Sequence, residues 1–441
     1  MRATFQRVAY FILLGYLIIS CYTGFIIVKN KVWKEQIQQE KYRKMTELAE
    51  EDRAWNPWGE EFDNERTVLT RHEPPNIVWN LDQGREPPSS RVDNSKRLFN
   101  VEVWGKASIG LYLWQHILEG PLEERMEGVW SHGTKTINNI KFTFRTGPGV
   151  VPDQVPKETE HLLLVLNGRE PDKITFAKSW LTSLDTLPRL QNVGLVLLGN
   201  EQCNNSWLHP YMAQNGGRVK FAFLVYDSPE IDNKFYYQWP LGVATYRDFP
   251  RVDSSKLPVH IKRKYSCNFL GTVYKNSSRE TLMKILEGDF FRENCYVKPR
   301  YRWLPEENAD SREEYIRLLS QSDLTLNPVG QNTECYRIYE AISYGSIPVI
   351  EDVRTPGICG KSETSEPQVF PLRLLKDHNA PVIFVKHWSE LHDLIENEKT
   401  LLHSERVKRR RNVLLWYESF KSKMRKTITN VISTHFFGVD R

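Results

Sequence analysis

The sequence predicts an α/β protein of two Rossmann-like domains that face a cleft, preceded by an N-terminal transmembrane helix. Apolar runs of strand length alternate with segments of helical spacing in two separate series. Polar residues follow the ends of successive strands in the first series, as they do at the carboxyl edge of a parallel sheet. Residues 8–28 are almost wholly apolar, which is long enough for one membrane-spanning helix.

The N-terminal part of the chain is predicted to be a cytosolic tail, a membrane anchor and a stem. Residues 1–7 form the tail, and Val8–Val28 forms the anchor. Basic residues flank the apolar run on both sides, so charge alone does not settle its orientation. The alternative is cleavage after the Ser20-Cys21 region, although signal peptides have shorter apolar cores. Residues 29–97 combine a charged helical run with proline-rich polar sequence, which is typical of a stem.

The predicted first domain, residues 98–250, contains strands that we expect to be buried on both faces. No alternation of apolar and polar residues interrupts its apolar runs, as in parallel sheets covered by helices. The expected strands are the first residues of NVEVWGKA, His161–Leu166, Val193–Leu198 and Val219–Tyr226. The expected helices are SIGLYLWQHILEG, Ile174–Leu187 and Trp207–Gln214.

Polar residues follow three of these strands. They are Asn167-Gly168-Arg169-Glu170, Gly199-Asn200-Glu201 and Asp227-Ser228-Pro229. In open parallel sheets such positions surround the ligand. The next segment, Gln238–Pro250, contains aromatic anchors and is predicted to cross to the second domain.

The predicted second domain, residues 251–400, repeats the βα pattern. Its expected strands are Tyr265–Leu270, Cys295–Lys298, Leu324–Leu326, Ile347–Ile350 and Val382–Val385. Its expected helices are Ser278–Leu286, Arg312–Leu319 and Ser389–Glu396, and Gly271 is expected in the turn after the first strand. Residues 401–441 are predicted to be a long basic helix, whose basic runs we interpret as a solvated face.

The segment Asp323–Asp352 has the pattern strand, turn, helix, strand. Pro328 and Gly330 break the chain after the first strand, because proline removes a donor and glycine permits positive φ. The residues from Asn332 onward are expected to cap the helix, with Glu334 as its first-turn acid.

Arg337 and Glu340 lie one turn apart in this helix. A helix that begins beyond the carboxyl edge of a sheet directs its N–H groups and positive dipole end toward anions. Arg337 can fork onto phosphate oxygens, and Glu340 can accept hydrogen bonds from ribose hydroxyls. The pair therefore suits a sugar nucleotide. The alternative is a surface ion pair with no ligand.

Composition limits the compartment and the class of ligand. A net charge of +5 is too small to indicate nucleic acid binding. Of the six cysteines, Cys21 lies in the apolar segment. The odd number that remains predicts one or two disulfides and at least one free thiol in an oxidising lumen. Asn204 and Asn276 begin N-x-S triplets, so both are expected to be glycosylated in surface loops of a luminal body.

Several short motifs, taken together, are shared with a known family. In Asp323–Asp352 they are Pro328, Gly330, Arg337, Glu340-Ala341, Gly345 and Ile347-Pro348-Val349. Elsewhere they are NPWGE, VEVWGKASIGLYLWQHI, LNGRE, LGNEQC, YDSP, QWPLGVATYR, CNFLGT and NTECYRIYEA. This set resembles the exostosin-like glycosyltransferases over nearly all of the chain after about residue 54. Asn327 stands where many members carry Cys, which leaves the packing of the loop open.

The resemblance implies a two-domain, B-type glycosyltransferase, held in the Golgi membrane as a single-pass type II protein. The implied donor is UDP-xylose, with Arg337 at the diphosphate, Glu340 at the ribose and Pro328–Gly330 as the loop beneath. The implied acceptor is ribitol-5-phosphate on the O-mannosyl glycan of α-dystroglycan. Implied partners are other Golgi enzymes of that pathway, fukutin and fukutin-related protein.

A divalent metal is not predicted at the donor diphosphate. The Asp-x-Asp triad that holds the metal in single-domain transferases does not occur in the sequence. Its nearest variant, Glu230-Ile231-Asp232, is interpreted as an acid pair in a loop. We therefore expect Arg337 and the helix that begins near Glu334 to stabilise the leaving diphosphate.

Inverting transfer, which the resemblance implies, requires a base in the first domain. Asp227 is the candidate; Glu170 and Glu201 at other strand ends and His116 on a helix are alternatives. Binding of a phosphate-bearing acceptor requires basic residues. Arg169 and Arg247, and also Lys106, are the candidates for that role.

Three other functions remain open from the sequence. The first is transfer of glucuronic acid or galactose on the same scaffold. The second is a non-catalytic Golgi protein that binds glycans or assembles with transferases, against which Arg337 and Glu340 argue. The third is a soluble phosphate-binding enzyme of the cytosol, which glycosylation at Asn204 or Asn276 would exclude.

Overall fold

The computed structural model describes residues 98–125, 130–302, 308–353, 355, 359 and 372–438. The predicted tail, membrane anchor and stem, residues 1–97, lie outside the described residues. Within the described ranges, no helix is both long and apolar enough to cross a bilayer. The described chain is a mixed α/β protein with two sheets whose strands are mostly parallel.

The first sheet contains eight strands within the described residues, in the order β2-β3-β4-β1-β5-β6-β7-β8. Adjacent strands are parallel except for the β2–β3 and β3–β4 pairs. The strands are β1 (Phe99–Gly105), β2 (Glu123–Arg125), β3 (Trp130–Ile137), β4 (Ile140–Thr146), β5 (His161–Asn167), β6 (Asn192–Leu198), β7 (Val219–Val225) and β8 (Tyr236–Trp239).

Strands β5, β6 and β7 are buried almost throughout, as the absence of alternation in their sequences predicts. Their large apolar side chains form a core with Trp104 and Trp180. The three polar strand ends therefore emerge together at one edge of the sheet.

The antiparallel hairpin β3–β4 was not among the strands expected from the sequence. Ile140, Phe142 and Phe144 are buried, while the residues between them are more exposed. Asn138 adopts a positive φ of 55° in the turn, which asparagine tolerates. The period-two pattern is present in the sequence, but it belongs to an antiparallel extension of a parallel sheet.

The second sheet has the order β10-β9-β11-β12-β13, and all its strands are parallel. They are β9 (Tyr265–Thr272), β10 (Cys295–Arg300), β11 (Ser322–Asn327), β12 (Ile347–Glu351) and β13 (Ile383–Val385). The chain passes first to β10 on one side of β9 and then to β11 on the other. The strand order therefore reverses between β9 and β11.

The helices in the described residues largely match the expected ones. They are α1 (Ile109–Leu111, continued as a π-helix over Tyr112–Ile117), α2 (Pro171–Ser183), α3 (Ser278–Leu286), α4 (Asp289–Asn294), α5 (Ala309–Gln321), α6 (Tyr336–Ser343), α7 (Arg373–Asp377), α8 (Leu391–Thr400) and α9 (His403–Phe437). The helix predicted at Trp207–Gln214 is wrong. Pro210 lacks the N–H for α-helical bonding, and the chain forms short 3₁₀ turns at Ser206–Tyr211 and Ala213–Asn215 instead.

The predicted crossing from Gln238 begins inside a strand. Its first two residues complete β8, and residues 240–250, the crossing segment, connect the two sheets. Thr245 in this segment donates its hydroxyl to the carbonyl of Ser108, 2.9 Å away.

The last helix, α9, contacts elements of both sheets. The hydroxyls of Tyr417 and Tyr112 lie 3.1 Å apart, and Asn192 Nδ2 donates to the carbonyl of Phe436 at 3.0 Å. Arg410 Nη2 donates to Asp323 Oδ1 at 2.5 Å, and both side chains are buried. The interpretation of the basic run as a wholly solvated face is therefore wrong at Arg410.

Two disulfides join the described cysteines. Cys267 and Cys295 link neighbouring strands β9 and β10, and Cys203 after β6 is bonded to Cys359 after β12. Cys335 is buried as a free thiol. The pairing falls within the prediction of one or two disulfides with an unpaired cysteine.

We predict that Arg410→Ala lowers the free energy of unfolding by about 3–5 kcal/mol, because it removes the buried cation that donates two hydrogen bonds to the Asp323 carboxylate and leaves only Arg406, 4.0 Å away. The substitution also removes the donor to the carbonyls of Val259 and Ile261. Urea denaturation measures the change. Arg411→Ala on the exposed neighbour is the control and should cost no more than about 0.5 kcal/mol. Equal effects of the two substitutions would contradict the prediction.

Candidate functional site

The candidate site lies where β9 and β11 separate at the carboxyl edge of the second sheet. The paired register of these strands ends at Asn268–Thr325, while β9 continues to Thr272 beside β10. Open α/β sheets bind ligands in the crevice at such a reversal of strand order. The segment Asp323–Asp352 runs through this point, as its sequence pattern predicts.

Arg337 is the second residue of α6 and is 7 % exposed. Its Nη2 donates to the carbonyl of Leu270 at 2.9 Å, and the guanidinium lies 5.0 Å from the ring centroid of Phe269. Its Nε and Nη1 have no hydrogen-bond partner in the described part of the chain. Buried donors without acceptors cost about 1–3 kcal/mol each, so this arrangement is suited to an anionic ligand.

Gly271 makes room for that guanidinium. It lies within β9 and not in the expected turn after the strand. A Cβ added there would lie 2.4 Å from Arg337 Nη2. The glycine is therefore required by the side chain of Arg337, and the expectation that Gly271 lies in a turn after the strand is wrong.

The predicted loop Pro328–Gly330 follows β11 and lies against a second arginine. Val329 N donates to Glu351 Oε2 at 2.9 Å, which fixes the loop on β12. A Cβ on Gly330 would lie 2.7 Å from Arg279 Nη2.

Arg279, which the sequence analysis missed, is the second residue of α3 and only 1 % exposed. Its Nη1 donates to the carbonyl of Thr272 at 2.8 Å. Burial, and then the charge of Arg337, lower the pKa of Arg279 to about 10. The sequence offers only a weak signal for it: α3, like α6, is the first helix after a strand of this edge and carries an arginine at its second position.

Glu334 precedes α6, whose N-cap residue is Cys335, so the expectation of a first-turn acid is wrong. Its Oε1 accepts hydrogen bonds from the N–H of Leu241 at 2.9 Å and from the hydroxyl of Tyr339 at 2.5 Å. Burial raises the pKa of Glu334, and both hydrogen bonds oppose that rise. The side chain therefore joins the helix to the crossing segment.

Glu340 makes a similar connection one turn after Arg337. Its Oε1 accepts from the N–H of Ala244 at 3.1 Å, and its Oε2 accepts from the hydroxyl of Tyr315 at 2.7 Å. Burial raises the pKa of Glu340, whereas the charges of Arg337 and Arg247 act in the opposite direction. Glu340 and Arg337 are thus buried near the crossing segment, and the alternative of a surface ion pair is wrong.

The carboxyl edge of the first sheet contacts this region. Arg169 Nη2 donates to Glu201 Oε1 at 2.8 Å, and Asn332 Nδ2 donates to the carbonyl of Glu201 at 2.7 Å. Arg247 is half-buried, with its guanidinium 5.3 Å from the ring centroid of Tyr246. Two of the predicted acceptor residues, Arg169 and Arg247, therefore lie on elements that contact the segment before α6 or α6 itself.

Lys106, the third candidate for binding the acceptor phosphate, contacts a different loop. Its Nζ donates to the carbonyl of Pro148 at 3.0 Å and lies 5.8 Å from the ring of Phe176. Burial lowers the pKa of Lys106. These contacts bind the lysine to the loop after β4.

Asp227, the candidate base, is 6 % exposed at the end of β7. Its Oδ2 accepts from the N–H of Arg373 at 3.2 Å, and its Oδ1 lies 3.2 Å from Arg373 Nη2. Burial raises the pKa of Asp227 to about 7, although the charge of Arg373 opposes the rise. Such a carboxyl group exchanges protons near neutral pH.

The alternative bases are in different environments. Glu201 is paired with Arg169, and Glu170 is half-buried with a pKa that burial raises. His116 packs against Tyr112 in α1, and burial lowers its pKa to about 4. His116 lies within the π-helical part of α1 and not at a strand end, and its side chain belongs to the buried core.

Glu230 and Asp232 have structural partners, consistent with their interpretation as loop acids. Asp232 Oδ1 accepts from three consecutive backbone N–H groups, at 2.8 Å each, and Glu230 Oε1 lies 2.8 Å from His209 Nε2. The glycosylation acceptors Asn204 and Asn276 are exposed in loops that follow β6 and β9.

The sequence matches two family models, described as the RXYLT1 N-terminal domain over residues 101–240 and the RXYLT1 C-terminal domain over residues 246–437. It is 43 % identical over 447 residues to ribitol-5-phosphate xylosyltransferase 1 of Danio rerio, covering 100 % of each chain. It is 41 % identical over 451 residues to the Homo sapiens protein of the same name, covering 99 % of each.

A solved alpha-glucosyltransferase in complex with UDP-glucose and DNA containing an abasic site is also similar. The TM-score is 0.37 at 11 % identity, over 76 % of this chain and 95 % of that one.

We predict that Gly271→Ala weakens binding of UDP about tenfold, because its Cβ displaces the Arg337 guanidinium from the Leu270 carbonyl. The far end of the arginine can shift, so the fold should persist. Titration calorimetry measures the dissociation constant. Gly288→Ala is the control, since a Cβ there meets its neighbours at 3.6 Å or more. Unchanged UDP affinity in Gly271→Ala would remove Arg337 from the ligand site.

Proposed function

The chain belongs to the ribitol-5-phosphate xylosyltransferase family, and from this we infer that it transfers xylose from UDP-xylose to ribitol-5-phosphate. It is an enzyme, a glycosyltransferase. Sequence identity to these relatives over the whole length supports the inference. The structural observation that carries it is Arg337, a buried cation at the reversal of strand order. Two of its nitrogens have no partner within the described residues.

We propose a B-type architecture of two Rossmann-like domains with the donor in the cleft between them. Arg337 takes the diphosphate, and Glu340, with further lone pairs on its oxygens, takes the ribose hydroxyls. Pro328–Gly330 forms the floor, and Gly271 and Glu334 position α6 and its arginine. The guanidinium supplies positive charge where the leaving diphosphate becomes more negative, so the donor site does not depend on a divalent metal.

Asp227 is the proposed general base of an inverting transfer. It takes the proton of the acceptor hydroxyl while that oxygen forms a bond to the anomeric carbon of xylose. The bond from that carbon to the UDP oxygen breaks, and UDP leaves with the bonding electron pair. Arg169 and Arg247 are the proposed contacts for the phosphate of the acceptor.

The proposed acceptor is ribitol-5-phosphate on the O-mannosyl glycan of α-dystroglycan. The proposed location is the Golgi membrane, with residues 8–28 as a type II signal anchor and the catalytic body in the lumen. Two disulfides and two exposed glycosylation acceptors support an oxidising lumen. Fukutin and fukutin-related protein are proposed as partners in the same pathway.

We expect the purified full-length chain to transfer xylose from UDP-xylose to a ribitol-5-phosphate acceptor, with UDP-glucuronic acid and UDP-galactose at least tenfold poorer donors. Arg337→Ala should lower kcat/KM about 100-fold or more, because charge on the leaving diphosphate loses its stabilisation. Chromatographic product analysis measures both. Arg411→Ala on the exposed face of α9 is the matched control. Preference for another UDP-sugar would support the alternative glucuronyl- or galactosyltransferase, and glycan binding without transfer would support an assembly partner.

We expect Asp227→Asn to lower kcat about 10²–10⁴-fold while UDP affinity stays within twofold, because the base acts on the acceptor and not on the nucleotide. The wild-type kcat/KM should rise with pH and level off above about 7, since the carboxyl group must be ionised to accept a proton. Glu170→Gln, at another strand end, is the control and should remain active. Normal turnover by Asp227→Asn would exclude it as the base.

A further inference from the structure

Two arginines occupy the gap that opens between β9 and β11. The carbonyls of Leu270 and Thr272, beyond the last residue of β9 that pairs with β11, accept from Arg337 and Arg279 respectively. Because peptide groups two residues apart in a strand point the same way, both guanidiniums approach β9 from the same side. They come from the first turns of two different helices, α6 and α3.

The two positive charges act on each other, and the charge of Glu201 acts on Arg279 in the opposite direction. Both side chains are more than nine-tenths buried, and the charge of Arg337 contributes to the lowered pKa of Arg279. Like charges repel strongly where water is excluded. Arg337 also keeps two nitrogens unpartnered within the described chain. An anionic ligand would offset this repulsion and accept hydrogen bonds from the unpartnered nitrogens of Arg337.

Arg263, another buried arginine of the predicted second domain, makes a different set of hydrogen bonds. Arg263 donates to the carbonyls of Leu319, Ser322 and Tyr344 at 3.3, 2.6 and 2.7 Å. Those bonds hold turns of the chain together, so Arg263 has a purely structural explanation. Burial of an arginine alone therefore does not account for the unpartnered nitrogens of Arg337 within the described residues.

The shape of the gap also admits both guanidiniums. Gly271 and Gly330 each lack the Cβ that would collide with a terminal nitrogen, of Arg337 at 2.4 Å and of Arg279 at 2.7 Å. The ring of Tyr274 lies 5.7 Å from the Arg279 guanidinium and contributes a cation–π contact that orients it. A glycine in β9 and a glycine in the loop after β11 thus leave space for two planar guanidinium groups that come from α6 and α3.

We propose that Arg279 is a second ligand of the donor's diphosphate, with Arg337 binding the phosphate next to the nucleoside and Arg279 binding the outer phosphate, which UMP lacks. The proposal deepens the proposed function and rests on it. Each guanidinium can donate two parallel hydrogen bonds to one phosphate, so two neighbouring guanidiniums can bind the two linked phosphates of a diphosphate. The enzyme therefore distinguishes nucleoside diphosphates from monophosphates through Arg279.

The test is calorimetric titration of the full-length chain with UDP and with UMP. The wild type should bind UDP at least tenfold more tightly than UMP. Arg279→Lys should weaken UDP about 10- to 100-fold and UMP less than threefold, because a lysine keeps the charge but not the fork. Arg263→Lys is the matched control for loss of a buried arginine and should leave the UDP-to-UMP ratio unchanged.

The outcomes separate this proposal from the proposed function. A wild type that binds neither nucleotide overturns both. A wild-type preference for UDP that Arg279→Lys fully retains overturns only the role of Arg279. Should Arg279→Lys fail to fold, Gly330→Ala provides the second test, since its Cβ displaces Arg279 Nη2 and leaves the charge in place. A reduced UDP-to-UMP ratio in Gly330→Ala supports the proposal, and an unchanged ratio overturns it.

Discussion

The position of the site depends on two buried carboxylates that join α6 to the crossing segment. Glu334 accepts the N–H of Leu241, and Glu340 accepts that of Ala244. A buried N–H group requires an acceptor, and a buried carboxylate is costly without donors, so each group satisfies the other. Arg337 lies between the two glutamates in the chain and is therefore held at a fixed place beside the crossing segment.

The same region is held by bonds that do not involve α6. The disulfide Cys203–Cys359 joins the loop after β6 to the segment after β12, and Asn332 donates to the carbonyl of Glu201. The ion pair between Asp227 and Arg373 adds a third connection. The disulfide, the Asn332 hydrogen bond and the ion pair thus fix the carboxyl edge of the first sheet to segments that precede and follow α6.

Much of the fold follows from local patterns in the sequence, whereas the site follows from contacts between distant residues. Helix Ser278–Leu286 was predicted with its observed bounds, because capping residues and apolar spacing act locally. The acceptors of Leu241 and Ala244 lie 93 and 96 residues away, and no local pattern indicates them. Arg279 was missed because its importance arises only when α3 and α6 meet at one strand gap.

The hydrogen-bonding capacity that remains at the site indicates the kind of ligand it is built for. Two carboxylate oxygens offer about four lone-pair positions, and protein donors to Glu340 occupy one on each oxygen, which leaves capacity for hydroxyls. Arg337 Nε and Nη1 have no hydrogen-bond partner within the described residues, and Arg337 lies one helical turn before Glu340. A ligand that satisfies the remaining hydrogen-bonding capacity of both side chains has an anionic group and hydroxyl groups about one helical turn apart. A nucleoside diphosphate has that arrangement, with its phosphates and ribose hydroxyls on one sugar, whereas inorganic phosphate or a free pentose satisfies only half of it.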